Sequence, residues 1–231
     1  MTVNALDYAI YEHDVVTGQS NVKVAPGLRI CEGTLLRGLF VHSAGNYVQL
    51  LVTLMGMSDS KFIAVMNRDA VQLGLRHTHY VDYTGISPGN ISTAHDQARL
   101  AADLMAAEPV ARRIVALAKV SLPVAGVEYS YTPLVGQDGV VGVKSGFTNA
   151  AGGCDVMSID VVMNHTVIVT YAVVLGQHGA DPLALAGQAA LTLSRKLRSS
   201  LRIVSTPRGR AIKWGGSALD IVARSTSKVV H

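Results

Sequence analysis

Apolar positions recur at helical spacing through most of the chain between residues 32 and 119, and from residue 124 the period shortens to that of strands. Thr34 is placed to cap a helix carrying Leu36, Leu39 and Phe40. Asn46 is placed to cap the next, over residues 47–55, which leaves a turn at His42, Ser43, Ala44 and Gly45. Residues 59–74 carry a core-facing stripe of Phe62, Val65, Met66, Ala70 and Leu73 that stops at Gly74. Turn formers fill 77–91, Thr93 with Asp96 resembles a capping box for a helix through Met105, and Pro109 opens another to about Lys119. Residues 127–131, 140–144, 154–163 and 166–175 then read as an antiparallel meander. Met157, Ile159, Val161 and Met163 alternate with Ser158 and Asp160, the pattern of an edge or half-buried strand, whereas residues 167–174 are almost wholly apolar, the pattern of a central one. A helix over 182–199, with Leu183, Ala186, Ala190, Leu193 and Leu197 on one stripe, is placed to cover it.

Composition adds little to this picture but removes alternatives. At 231 residues with 49% hydrophobic and only 5% aromatic content, the chain is expected to fill its core with aliphatic side chains, which suits helices stacked on a sheet. The net charge of +4 is concentrated at Arg195, Lys196, Arg198, Arg202, Arg208, Arg210 and Lys213. No aromatic residues are interleaved there as a base-stacking platform requires, so a solvated face is expected and no nucleic-acid partner. Cys31 and Cys154 form no Cys-x-x-Cys pair and read as buried small hydrophobes; His77 and His79 find no third ligand at metal spacing, and neither a metal nor another cofactor is expected. The segment beginning at Met1 lacks the pattern of a secretory signal, and no apolar run approaches the roughly 20 residues that span a bilayer.

The candidate chemistry lies in Gly142-Val143-Lys144-Ser145-Gly146-Phe147-Thr148-Asn149-Ala150-Ala151-Gly152-Gly153-Cys154. A lysine at a strand end offers a cation to an anionic group, the following hydroxyl offers a hydrogen bond, and the glycine leaves room for an extended ligand along the strand. The segment resembles the Lys-Thr/Ser-Gly region of the D-alanyl-D-alanine carboxypeptidases, serine peptidases of the penicillin-binding class. Residues 75–86, then Ser92-Thr93-Ala94-His95-Asp96, and Met66-Asn67 match further patterns of that family in consistent order, so the resemblance covers about residues 28–175.

The resemblance implies an α/β fold of the α+β type, DD-peptidase-like: one domain over 1–231 with a helical lobe at 33–119, an antiparallel sheet with its C-terminal helix at 120–205, and a tail of unassigned role at 206–231. It implies acyl transfer on a peptidoglycan stem peptide ending in D-Ala-D-Ala, with Lys144, Ser145, Gly146 and Thr148 at the substrate carboxylate and the Phe147 N–H in the oxyanion hole. Ser43 falls where the family has the proton-shuttling serine of Ser-x-Asn; Gly45 takes the ungapped Asn position, and Asn46, one place late, is either a displaced substrate-holding amide or a plain helix cap. The family's Ser-x-x-Lys nucleophile and base are expected N-terminal to Met1. The Ser-x-x-Lys strings at Ser20, Ser58 and Ser225 are wrongly placed for that role, so the nucleophile helix is missing from the expected fold. The chain is therefore expected to be inactive or strongly impaired in catalysis, to bind β-lactams only if a nucleophile is supplied, and to expose apolar surface. The alternative is a non-catalytic peptidoglycan- or partner-binding module. The family acts outside the cytoplasmic membrane.

Overall fold

The computed structural model describes residues 1–163, 166–206, 209–214 and 224–225. Its first helix, α1 (Ala5–Thr17), has no counterpart in the predicted elements. A capping box starts it: Asn4 Oδ1 accepts from the Leu6 and Asp7 N–H groups at 2.8 and 3.0 Å, and the Asp7 carboxylate accepts from the Asn4 N–H at 2.9 Å. The apolar stripe that announces a helix is weak here because the inward positions are Asp7 and Asp14, while Leu6 and Val16 are exposed.

The helices α2 (Glu32–His42) and α3 (Gly45–Leu54) meet at the predicted turn, but their caps differ from expectation. Cys31, not Thr34, precedes α2; Thr34 lies buried in its first turn, and Cys31 is exposed rather than a core residue. Ala44, not Asn46, precedes α3. The two helices approach closely at Gly38, where a Cβ would stand 2.4 Å from the Tyr47 ring, so only glycine lets Tyr47 pack there fully buried. Next come α4 (Asp59–Gln72), α5 (Ala94–Ala107) and α6 (Pro109–Val115). Thr93 Oγ1 caps α5 by accepting from the Asp96 N–H at 3.2 Å, but the Asp96 carboxylate completes no box: it accepts from the His77 N–H and the Thr78 hydroxyl, both at 2.8 Å, and so fastens the 77–91 loop to the helix. The helix predicted to about residue 119 stops at Val115, because Lys119 already belongs to a strand, β1 (Lys119–Leu122), which pairs with β2 (Gly126–Tyr129).

The main sheet keeps three of the four expected meander strands, β3 (Val140–Thr148), β4 (Gly152–Met163) and β5 (Thr166–Gln177), whereas the segment expected at 127–131 falls in β2, which pairs with β1 in a separate sheet. The helix α7 (Pro182–Ser200) follows, then a hairpin of β6 (Leu201–Thr206) and β7 (Gly209–Trp214); the short β8 (Arg224–Ser225) adds to β5. The order β3-β4-β5-β8 corrects one expectation: β4 is interior and β3 is the edge. The Ser158 position that suggested solvent is fully buried, since helices cover both faces of the sheet. Ala186, Ala190 and Leu197 of α7 pack on Met157, Ile159 and Ile168, while Ala101 and Met105 of α5 and Val115 of α6 meet Val143. A separate core of Val22, Val24, Leu35, Val41, Tyr47 and Leu50 fills the helical lobe, and each fully buried aliphatic side chain there contributes roughly 1.5–3 kcal/mol. The remaining residues of the tail expected at 206–231 lie outside those described.

Candidate functional site

Ser43 is the C-cap of α2 and takes the left-handed conformation, φ 56°, which costs a non-glycine residue about 1 kcal/mol. The strain is held in place from both sides: the Ser43 N–H donates to Leu39 O at 3.1 Å, the Ala44 N–H to Gly38 O at 3.2 Å, and the Gly45 N–H to Ser20 O at 2.8 Å. The hydroxyl so positioned accepts a short hydrogen bond from Lys144 Nζ, which reaches it from β3 across 101 positions of sequence. Lys144 Nζ also donates to Ser145 O at 2.6 Å. Two of the predicted site residues are thus in direct contact.

The others divide. Ser145 is buried, and its hydroxyl donates to Tyr131 O at 2.8 Å, leaving its oxygen lone pairs to accept. Gly146 and Phe147 are exposed along the edge strand, and a Cβ at Gly146 would meet nothing within 4 Å, so no packing demand explains the glycine. The Thr148 hydroxyl accepts from the Ala151 N–H at 3.0 Å and serves the β3–β4 turn. Asn46 lies in the first turn of α3 but is not its N-cap. Its side chain, 1% exposed, donates to Val22 O at 2.8 Å and accepts from Val22 N–H at 3.1 Å, pinning an extended segment to α3. Burial raises the Asp14 carboxyl above its ordinary value, opposed in part by His13 and by the Asn46 N–H in the first turn of α3.

Burial depresses the Lys144 ammonium to a pKa of about 8, partly opposed by the negative charge of Asp155. Asp155, cross-strand from Ser145, went unnoticed in the sequence. It is fully buried, both its oxygens lack a hydrogen-bond partner, and desolvation raises its carboxyl to about 7 against the pull of Lys144. A folded-state pKa above the unfolded value of 3.8 means that ionised Asp155 opposes folding fully above about pH 7 and progressively less as pH falls toward 4. Asp155→Asn is therefore expected to stabilise the protein by about 1–3 kcal/mol at pH 8 and by little at pH 4. Chemical denaturation at the two pH values checks this; equal stability of variant and wild type at pH 8 would contradict it.

Of the three Ser-x-x-Lys strings, neither of the two that lie wholly among the described residues places its serine and lysine together within one helix. Ser20 lies in extended chain with its hydroxyl donated to His42 O at 2.7 Å; Ser58 caps α4 by accepting from the Lys61 N–H at 3.3 Å. Ser225 lies in β8, and its partner Lys228 falls outside the described residues. His77 and His79 sit in the loop before α5, where the His77 N–H binds Asp96 and His79 pairs through its backbone with Ile91.

Comparison with known proteins bears on the family and the fold. Residues 2–179 match the sequence profile of the D-alanyl-D-alanine carboxypeptidase (peptidase S11) family. The D-alanyl-D-alanine carboxypeptidase DacF of Bacillus subtilis is 28% identical over 102 residues, 44% of this chain and 26% of that protein. A D-alanyl-D-alanine endopeptidase of Escherichia coli is 37% identical over 105 residues, 42% of this chain and 33% of that protein. The chain thus spans about a quarter to a third of these curated relatives. In three dimensions it superposes on penicillin binding protein 6B of Escherichia coli with a TM-score of 0.75 at 24% identity, over 97% of this chain and 67% of that one, which establishes the shared fold. With most of its length matched by the family profile, the chain belongs to the D-alanyl-D-alanine carboxypeptidase family.

Proposed function

We propose that the Ser43–Lys144 site holds the terminal carboxylate of a peptidoglycan stem peptide ending in D-Ala-D-Ala, as the recognition half of a serine-type carboxypeptidase. The contact between Lys144 Nζ and Ser43 Oγ carries this reading, because it sets a partly buried ammonium and a hydroxyl side by side next to a free strand edge. The ammonium neutralises the carboxylate in surroundings that already desolvate it. The Ser145 oxygen accepts or relays a hydrogen bond, and the open space over Gly146 admits the peptide along the strand. The Phe147 N–H and Thr148 belong to the same subsite in this reading. Ser43 accepts from Lys144, so its own proton is free to be passed to a leaving amine.

In the family's chemistry a serine oxygen bonds to the penultimate D-alanine carbonyl carbon, the peptide C–N bond breaks, D-alanine leaves with a proton, and water cleaves the ester. That step needs a serine activated by a lysine one helical turn away. We infer that the described residues do not carry it on their own, given where Ser20 and Ser58 lie. The same observation favours a second reading, a non-catalytic module that binds peptidoglycan or a partner through the Lys144 edge. Stem peptides lie outside the cytoplasmic membrane, so binding them implies action there; among the described residues no single helix is long and apolar enough to cross a membrane.

Incubation of the 231-residue chain with a fluorescent penicillin tests the covalent step. The expected result is no stable adduct under conditions where an acylated D-Ala-D-Ala dipeptide still binds. An adduct that survives denaturation and disappears in Ser20→Ala or Ser58→Ala would overturn the inference.

A further inference from the structure

The residues of the site close into a ring. His42 is joined covalently to Ser43; Ser43 Oγ is bound by Lys144; Lys144 is followed by Ser145; and Ser145 Oγ donates to Tyr131 O. The last link returns from Tyr131 to His42, whose rings stack with centroids 4.5 Å apart and planes at 30°. Four further contacts tighten that link, the first of them between the Tyr131 hydroxyl and His42 Nε2, 3.4 Å apart. The Tyr131 N–H donates to Val41 O at 3.0 Å, and His42 Nδ1 lies 3.2 Å from Tyr129 O and 3.4 Å from a Glu128 carboxylate oxygen. His42 O accepts the Ser20 hydroxyl, so the residue is held at its backbone as well.

The ring joins three separate pieces of chain: the end of α2, the segment after β2, and the edge strand β3. Ser43 sits in a strained conformation, so it keeps its place only while its surroundings hold it there. Without the stack, the side-chain links of the ring reduce to Lys144 with Ser43 and Ser145 with Tyr131, beside the Val41–Tyr131 backbone bond. We propose that His42, stacked on Tyr131 and braced by Glu128, is a positioning residue that sets the alignment of Ser43 with Lys144. The proposal rests on the carboxylate-site reading for its effect on ligand but not for its effect on Lys144 itself. The stack is the link to break, because it is made by side chains alone and its Tyr131 partner is exposed, whereas the Val41–Tyr131 bond is backbone.

The test uses the full chain, an acetylated D-Ala-D-Ala dipeptide as probe, and the side-chain NMR resonances of Lys144. His42→Ala is expected to shift the Lys144 signals and weaken peptide binding about 3- to 10-fold, the range that one aromatic stack provides. His42→Phe restores a ring over Tyr131 but not the contacts of the two ring nitrogens, so both readouts are expected to recover in part, to a position between His42→Ala and wild type. Tyr131→Leu, which removes the ring from the other side, is expected to reproduce His42→Ala and serves if the latter does not fold. Unmoved Lys144 resonances in folded His42→Ala or Tyr131→Leu would overturn the proposal, as would a His42→Phe variant no better than His42→Ala. If wild type binds no peptide, the carboxylate-site reading fails while the Lys144 resonances still decide the role of His42.

Discussion

Lys144→Met is expected to weaken binding of a D-Ala-D-Ala dipeptide about 10- to 100-fold, the largest loss of any single change at this site. Methionine keeps the length and bulk of the side chain, so the difference isolates the charge. A hydrogen bond to a charged group contributes about 1.5–3 kcal/mol, which corresponds to that range. Burial already holds the ammonium down to a pKa of about 8, so its desolvation has a cost that methionine does not carry, and the variant should remain folded. Calorimetric titration alongside thermal unfolding separates the two quantities. A variant that binds the peptide as wild type does would remove Lys144 from the site.

Asn46→Ala is expected to show the reverse profile, a large loss of stability with the affinity of the folded fraction changed by less than about threefold. Both the donor and the acceptor of the buried Val22 peptide groups depend on this one amide. Orphaning a buried polar group costs about 1–3 kcal/mol, so losing two partners is expected to cost about 2–5 kcal/mol and to lower the unfolding midpoint by roughly 5–15 °C. Denaturant unfolding checks the first and peptide titration the second. Unchanged stability with abolished binding would mean that Asn46 aligns the substrate after all.

The contrast between Lys144 and Asn46 marks what was legible in the sequence. The Lys144 segment was readable because its neighbours form a long local pattern, and the Ser43 turn because two helical stripes are separated by only a few residues. The resemblance implied a role for each of them, but their contact across 101 positions has no signal in the sequence. An asparagine near a helix start is ordinarily a cap, but the cap alternative for Asn46 fails, and nothing local reveals that its side chain faces Val22, 24 positions away. The first helix carries no apolar stripe since its inward positions are aspartates, and the alternation in β4 suggests an edge or half-buried strand since Ser158 and Asp160 look solvated, although Ser158 is covered from the other face. Asp155 and the His42–Tyr131 stack are tertiary juxtapositions that leave no spacing signal.

The central claim, that Lys144 and Ser43 together hold a terminal carboxylate, is tested most directly by titrating wild-type protein with acetyl-D-Ala-D-Ala and with its C-terminal amide while observing Lys144 by NMR. The acid should bind and shift the Lys144 signals, and the amide, lacking the charge, should bind at least about tenfold more weakly. Equal binding of acid and amide, or binding of the acid that leaves Lys144 unperturbed, would contradict it.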